Sequence, residues 1–365
     1  MNRPAPAAVH RLHPGEAIRT AAGFPALVRF AGGAAGQPLV VFVTGGGVLA
    51  RIAYGLPDTR PQDFLAHWLG DAGYPFLAVS YPLGHPVFPS IHPDFTVRDW
   101  AAQTAELARA VTDANGLPRT VLVLAWSMAG RIALPLGVAM RRLGLDIGLF
   151  VTMAATPPLP NLLPALDGLQ MDRHGLAEAH TSFVPWLTRC LEDQSARAGD
   201  AVIAASEFVD GCTGNFPINL AATPLRYRQG RFVADAAEDD ADTGARDIGG
   251  FPPLAVITHA SALDARHALA DQANWSPFLV QGLLTALMRT CPDCTKLPAP
   301  TWEAIAAQVR AAPDRLSVTL PGNHLFFVGA AGARATVEAL ALLQARSSDL
   351  GATLRRLSSA AHPPP

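Results

Sequence analysis

Residues 121–130 read Val-Leu-Val-Leu-Ala-Trp-Ser-Met-Ala-Gly, and they restrict the fold more than any other stretch. An unbroken apolar run of this length is the pattern of a strand buried on both faces. It stops at Ser127 with no polar linker, and helix-compatible residues follow at 128–143. The chain must therefore turn sharply from strand into helix at the serine. A turn that tight lifts the hydroxyl clear of the sheet, and large side chains two positions either side would clash. Ala125 and Ala129 suit that requirement, and Gly130 leaves room for the helix to approach the strand. The Met128 N–H then lies at a helix N-terminus, where a developing oxyanion can be held. In isolation the same run also fits an ordinary strand–turn–helix with a capping serine.

The rest of the chain repeats the alternation. Apolar runs of strand type occur at 26–30, 39–44, 75–80, 120–125, 147–153, 254–259 and 315–320. Helix-length segments lie between several of them, at 63–72, 96–115 and 128–143, and another follows the last at 330–345. In 96–115, Trp100, Thr104, Leu107, Ala108 and Val111 fall at helical spacing, and Gly116 and Pro118 end the run. Strands alternating with helices imply an α/β chain with a mostly parallel central sheet and helices on both faces. The alternation breaks between residues 156 and 250. We expect a core of 1–155 and 251–347, with 156–250 a helical cap insertion over the sheet. Helices are expected near 176–192 and 198–210, and the acidic tract 238–242 is expected to be a solvated loop. The tail 348–365, ending in three prolines, is expected to fray.

Three further features surround the serine. After the apolar run 39–43, Thr44 leads into Gly45-Gly46-Gly47, a backbone free to turn N–H groups inward. A phosphate-binding loop would need a Gly-Lys-Ser/Thr ending, which is missing. After the run 315–320, Pro-Gly-Asn-His324 opens a loop. After 254–259, Asp264 stands five residues beyond the strand end, with Asp271 as the fallback acid.

Together these residues resemble the α/β-hydrolase superfamily. Its nucleophile elbow, G-x-S-x-G, is matched at 125–129 with alanine in both glycine positions. Its Gly-rich oxyanion loop is matched at 45–47, with Thr44 where histidine is common. Its Gly-x-His loop is matched at 322–324. Phe326-Phe327 after the histidine is similar to the Gly-His-Phe-Phe run of type II thioesterases. The chain order serine, acid, histidine is the one that fold uses. The resemblance covers residues 26–343 apart from the insertion. It implies the α/β-hydrolase fold and a catalytic triad of Ser127, Asp264 and His324. The oxyanion hole would be the N–H of Met128 with that of Gly46 or Gly47. The implied activity is cleavage of a small-molecule acyl ester or thioester, free or bound to coenzyme A or a carrier. The same acyl-enzyme passing its group to another acceptor would make an acyltransferase, and a fold relative without catalysis would be a ligand-binding or partner-binding protein.

Composition narrows the classes. A formal net charge of -2 carries no electrostatic footprint for nucleic acid. No apolar stretch is long enough to span a bilayer, and residues 1–16 lack the apolar core of a secretory signal, so cytoplasmic residence is expected. Four cysteines are too few for a disulfide scaffold. Cys291-Pro-Asp-Cys294 has no second pair to complete a zinc site, so no metal and no cofactor are expected. His259, at a strand end, is a candidate pocket residue. Trp126 reads as core. Phe183, Trp186, Phe208 and Phe216 could form an apolar lid or a small core of the insertion.

Overall fold

The structure is a computed structural model and describes residues 12–159 and 169–360. Residues 1–11, 160–168 and 361–365, the last including the three terminal prolines, lie outside the described residues.

An eight-stranded sheet forms the frame. It contains β1 (Glu16–Ala21), β2 (Phe24–Ala31), β3 (Leu39–Val43), β4 (Phe76–Ser80), β5 (Thr120–Trp126) and β6 (Asp146–Met153). A two-stranded hairpin, β7 (Leu225–Arg228) with β8 (Arg231–Ala234), stands apart from it. The sheet is completed by β9 (Leu254–His259) and β10 (Ser317–Leu320). The order is β1-β2-β4-β3-β5-β6-β9-β10, antiparallel at β1/β2 and β2/β4 and parallel elsewhere. The parallel strands are the apolar runs of the sequence. Every residue of β3 and β4 is buried, as are Val121–Trp126 of β5. Burying each Val, Leu or Phe is worth roughly 1.5–3 kcal/mol, so the centre of this sheet carries the core.

The main helices are α1 (Leu65–Asp71), α2 (Val97–Asn115) and α3 (Ala133–Arg142), then α4 (Val184–Ala198), α5 (Ala205–Cys212) and α6 (Ala236–Thr243) in the insertion. Three more follow β9: α7 (Ala265–Thr290), α8 (Ala299–Arg315) and α9 (Ala330–Ala360). The step from β3 through α1 to β4 runs one way along the sheet. The steps β4–α2–β5 and β5–α3–β6 run the other way. Right-handed crossovers therefore place α1 on one face and α2 and α3 on the opposite one. Accordingly α2 packs on α3, and α1 on α9. Local chemistry bounds α2: Thr96 and Asp99 form a reciprocal capping box, and Gly116 closes the helix at φ 61°.

Two expectations are corrected. Residues 238–242 are not a solvated loop but part of α6. Asp239 and Asp242 are buried there because each meets positive partners, the guanidiniums of Arg131 and Arg226 for Asp239 and the α2 N-terminus for Asp242. The C-terminal helix does not stop near 345. It runs to Ala360, because Leu350 and Leu354 continue its buried stripe. Helices α7 and α8 were not foreseen, and each contains an internal proline, Pro277 or Pro313, that reads as a break. Among the described residues no helix is long and apolar enough to cross a membrane.

Candidate active site

From adjacent strands β3 and β5 the chain departs in opposite directions, to β4 and to β6. In open α/β sheets that point opens a crevice at the carboxyl ends of the strands, where ligands bind. The Gly45–Gly47 loop leaves β3 there, and Ser127 leaves β5.

Ser127 has φ 56°, one of four non-glycine residues in the left-handed region among those described. Such a residue costs about 1–3 kcal/mol, and the surrounding structure must hold it. Here the Ser127 carbonyl accepts from the Thr156 N–H at 2.9 Å, and Ser127 is the first of six residues that form a tight helical turn, Ser127–Ile132. Because the turn begins at the serine, the Met128 N–H has no partner within it. Ala125 and Ala129 are fully buried, and a Cβ on Gly130 would come within 2.5 Å of the Thr156 carbonyl oxygen, so small residues are obligatory around the serine.

The glycine loop lies directly on this turn. A Cβ on Gly45 would sit 2.7 Å from Ser127 Cβ and 3.2 Å from its Oγ. Gly46 packs against the Met128 side chain. Gly47 has φ 62°, which an L side chain rarely adopts, but its N–H is already engaged: it donates to the Tyr81 hydroxyl at 2.8 Å. That hydroxyl in turn donates to the Gly45 carbonyl at 3.0 Å. Of the two glycine donors expected, Gly47 is therefore spent on holding the loop, while the Gly46 N–H has no partner among the described residues. Tyr81 was missed in the sequence. Its only signal there is its position one residue past β4, beside the loop it ties.

Asp264 and His324 meet at the same end of the sheet, the Asp264 Oδ2 lying 2.7 Å from His324 Nδ1. Asp271, the fallback acid, is spent elsewhere, with its Oδ1 2.7 Å from Nδ1 of the buried His267. Trp126, the residue before the serine, holds His324: its indole N–H donates to the His324 carbonyl at 2.9 Å and its ring centroid lies 5.2 Å from the imidazole. Burial depresses His324, and although the Asp264 carboxylate opposes it, the pKa falls to about 4. For Asp264, burial works toward a higher value, but the charge of His324 and hydrogen bonds from His259 and His324 hold it well below the usual carboxylate range. The dyad is thus a carboxylate facing a neutral imidazole, the state a general base needs at neutral pH.

His259 does not line a pocket. It is fully buried, and its Nε2 lies 3.1 Å from the same Asp264 oxygen. The Ser261 backbone N–H donates to His259 Nδ1 at 3.2 Å, which leaves Nε2 to carry the proton. His259, Asp264 and His324 are close together, and the backbone makes the cluster a hydrogen-bonded set, with His259 a donor.

The insertion closes over this site. The Trp186 ring lies 4.8 Å from that of His324, and its indole N–H donates to the Leu263 carbonyl. The Phe183 ring would meet a Cβ on Gly47 at 2.7 Å and packs edge-on to Phe216. Asn323 donates to the Cys190 carbonyl and the Asp193 carboxylate of α4. Phe183 and Trp186 thus face the site, whereas Phe208 and Phe216 are core. Phe326 and Phe327 are also fully buried, and Phe327 packs on Phe42 and Trp126, so the pair speaks for packing and says nothing of the substrate. Cys291 and Cys294 are free thiols at the distant α7–α8 junction. An open groove of about 460 Å³ between α4 and α5, lined by residues such as Leu191, Ser195 and Ile203, includes none of the site residues.

No family model matches the chain, and no curated protein matches it in sequence. Solved structures do match. An AqdC variant, described in recognition and ring-cleavage of the Pseudomonas quinolone signal, aligns over 90% of this chain and 98% of its own at 15% identity, with a TM-score of 0.52. Est816, described as an N-acyl homoserine lactone degrading enzyme, aligns over 88% and 99% at 13% identity, with a TM-score of 0.50. A thermophilic esterase from Thermogutta terrifontis aligns over 94% and 98% at 13% identity, with a TM-score of 0.48.

Proposed function

We propose that this protein, which has the α/β-hydrolase fold, is a serine hydrolase that cleaves an acyl ester or thioester through an acyl-Ser127 intermediate. The observation that carries the reading is the pairing of a strained serine at the end of β5, φ 56°, with a buried Asp264–His324 dyad at 2.7 Å. Backbone strain of this kind is retained where the geometry is used.

In the proposed reaction Ser127 Oγ attacks the acyl carbon while His324 Nε2 takes its proton. Asp264 holds the Nδ1–H tautomer and stabilises the imidazolium that forms. The tetrahedral oxyanion is held by the N–H groups of Met128 and Gly46, each worth about 3 kcal/mol in comparable sites. His324 then protonates the leaving alcohol or thiol. Water, activated by the same imidazole, attacks the acyl-enzyme and releases the acid. Phe183 lies against Gly47 and Trp186 against His324, and two aromatic rings there suit a small to medium apolar acyl group.

Fluorophosphonate labelling read by intact mass tests this. The wild type is expected to take one adduct, and Ser127→Ala none. A well-folded wild type that takes no adduct would overturn the reading. Comparing p-nitrophenyl esters with acyl-coenzyme A thioesters then separates the two substrate classes.

A further inference from the structure

The Asp264 Oδ2 accepts two hydrogen bonds, from His324 Nδ1 at 2.7 Å and from His259 Nε2 at 3.1 Å. The second is not adjustable. His259 is fully buried, and the Ser261 N–H on its Nδ1 excludes the tautomer that would leave Nε2 without a proton. We infer that His259 is a positioning residue of the proposed triad: its fixed Nε2–H turns the Asp264 carboxylate toward His324 and takes a share of the negative charge that would otherwise act on the imidazole alone. The inference rests on the serine-hydrolase reading and goes beyond it in assigning a fourth group to the machinery.

The consequence follows from electrostatics. A carboxylate that divides its charge between two donors stabilises each less than it would one. His324 is then protonated less readily, in the same direction as its burial. The other groups facing the pair are His267, Arg266 and Asp271 on α7 and Cys190, Arg189 and Asp193 on α4. None of these hydrogen-bonds the Asp264 carboxylate through a side chain; among the described residues only His259 and His324 do. His267 has its own carboxylate, and Cys190, raised by burial to about 12, stays a neutral thiol.

The test is the second-order rate of fluorophosphonate labelling of Ser127 between pH 4 and 8, which needs no knowledge of the substrate. His259→Phe and His259→Met remove the donor, and flexible Met covers the case in which Phe does not fit. Both are expected to move the acid limb up by about one pH unit, a tenfold rise in the proton affinity of His324. His259→Gln, which keeps an N–H donor, is expected to restore the wild-type limb. A lower plateau with an unmoved limb in the apolar variants would assign His259 a structural role and overturn the inference. A wild type that does not label at any pH would instead overturn the serine-hydrolase reading, and His259 with it.

Discussion

The sheet and the insertion that covers it share one apolar core, but the insertion leans on buried charge as well. The sheet is a stack of apolar strands, and β3, β4 and most of β5 bury every side chain. Its active-site ends are shaped by backbone: a serine in the left-handed region, a glycine loop pressed on it, a tyrosine tying that loop. The insertion shares that apolar core, through residues such as Val184, Leu187 and Phe208, but adds a set of buried polar ties to the layer beneath it. Arg131, four residues past Ser127, shares the Asp239 carboxylate of α6 with Arg226 of β7. Asp242 accepts from the N–H groups of Val97 and Arg98 at the start of α2, each at 2.9 Å. Arg51, paired with Glu16 beside the glycine loop, donates to the Gly211 carbonyl of α5. An apolar core tolerates small losses gradually. A buried charge that loses its partner does not, so the two regions should fail differently.

Asp239→Ala puts the largest strain on that comparison. Two buried guanidiniums would lose their shared carboxylate, at a cost of about 3 kcal/mol. Hydrogen exchange should rise across 205–245 while β3–β6 stay protected. Equal loss of protection in both regions would show that sheet and cap unfold as one unit. Trp186→Ala sharpens the comparison from the site side. Burial is the main cause of the low His324 value, so the wild type should keep a neutral imidazole, and a flat kcat/KM, down to about pH 4. Uncovering the ring should move that acid limb toward the ordinary value near 6.5. Because the folded value is depressed, the stability His324 contributes is present above pH 6.5. It is lost as pH falls toward 4, and the variant should lose less of it, seen as a smaller drop in Tm between pH 7 and pH 5. The smallest effect belongs to the sheet layer. Thr96→Ala breaks the α2 capping box and should cost about 1 kcal/mol in urea unfolding with activity unchanged.

Much of this site was legible in the sequence, because its residues lie at strand ends and strand ends are written in local pattern. Ser127 follows an apolar run, and Asp264 and His324 follow two others. Asp264 could not be separated from Asp271 there, since both lie within one turn-and-helix stretch. A single contact decides it, Asp264 to His324 against Asp271 to His267. The roles of Gly46 and Gly47 were equally undivided until Tyr81, thirty-four residues on from Gly47, was seen to occupy one of them. The acidic tract misled for the same reason. A run of carboxylates reads as solvated unless its counter-charges are visible, and Arg131 stands 108 residues away from Asp239.

By itself, then, the sequence determined the alternating parallel sheet, the position of the sharp turn at Ser127 and the order in which Ser127, Asp264 and His324 follow their strands. Apolar periodicity and the steric limits of a tight turn act over a few neighbours and leave their mark in the residues themselves. Only the tertiary structure decided which aspartate faces His324, which glycine N–H is left to donate and how the insertion sits on the site. It also decided that His259 shares the Asp264 carboxylate with His324. Those outcomes depend on hydrogen bonds and ion pairs between segments far apart in the chain, whose energies exist only once folding has brought the partners within about 3 Å of each other.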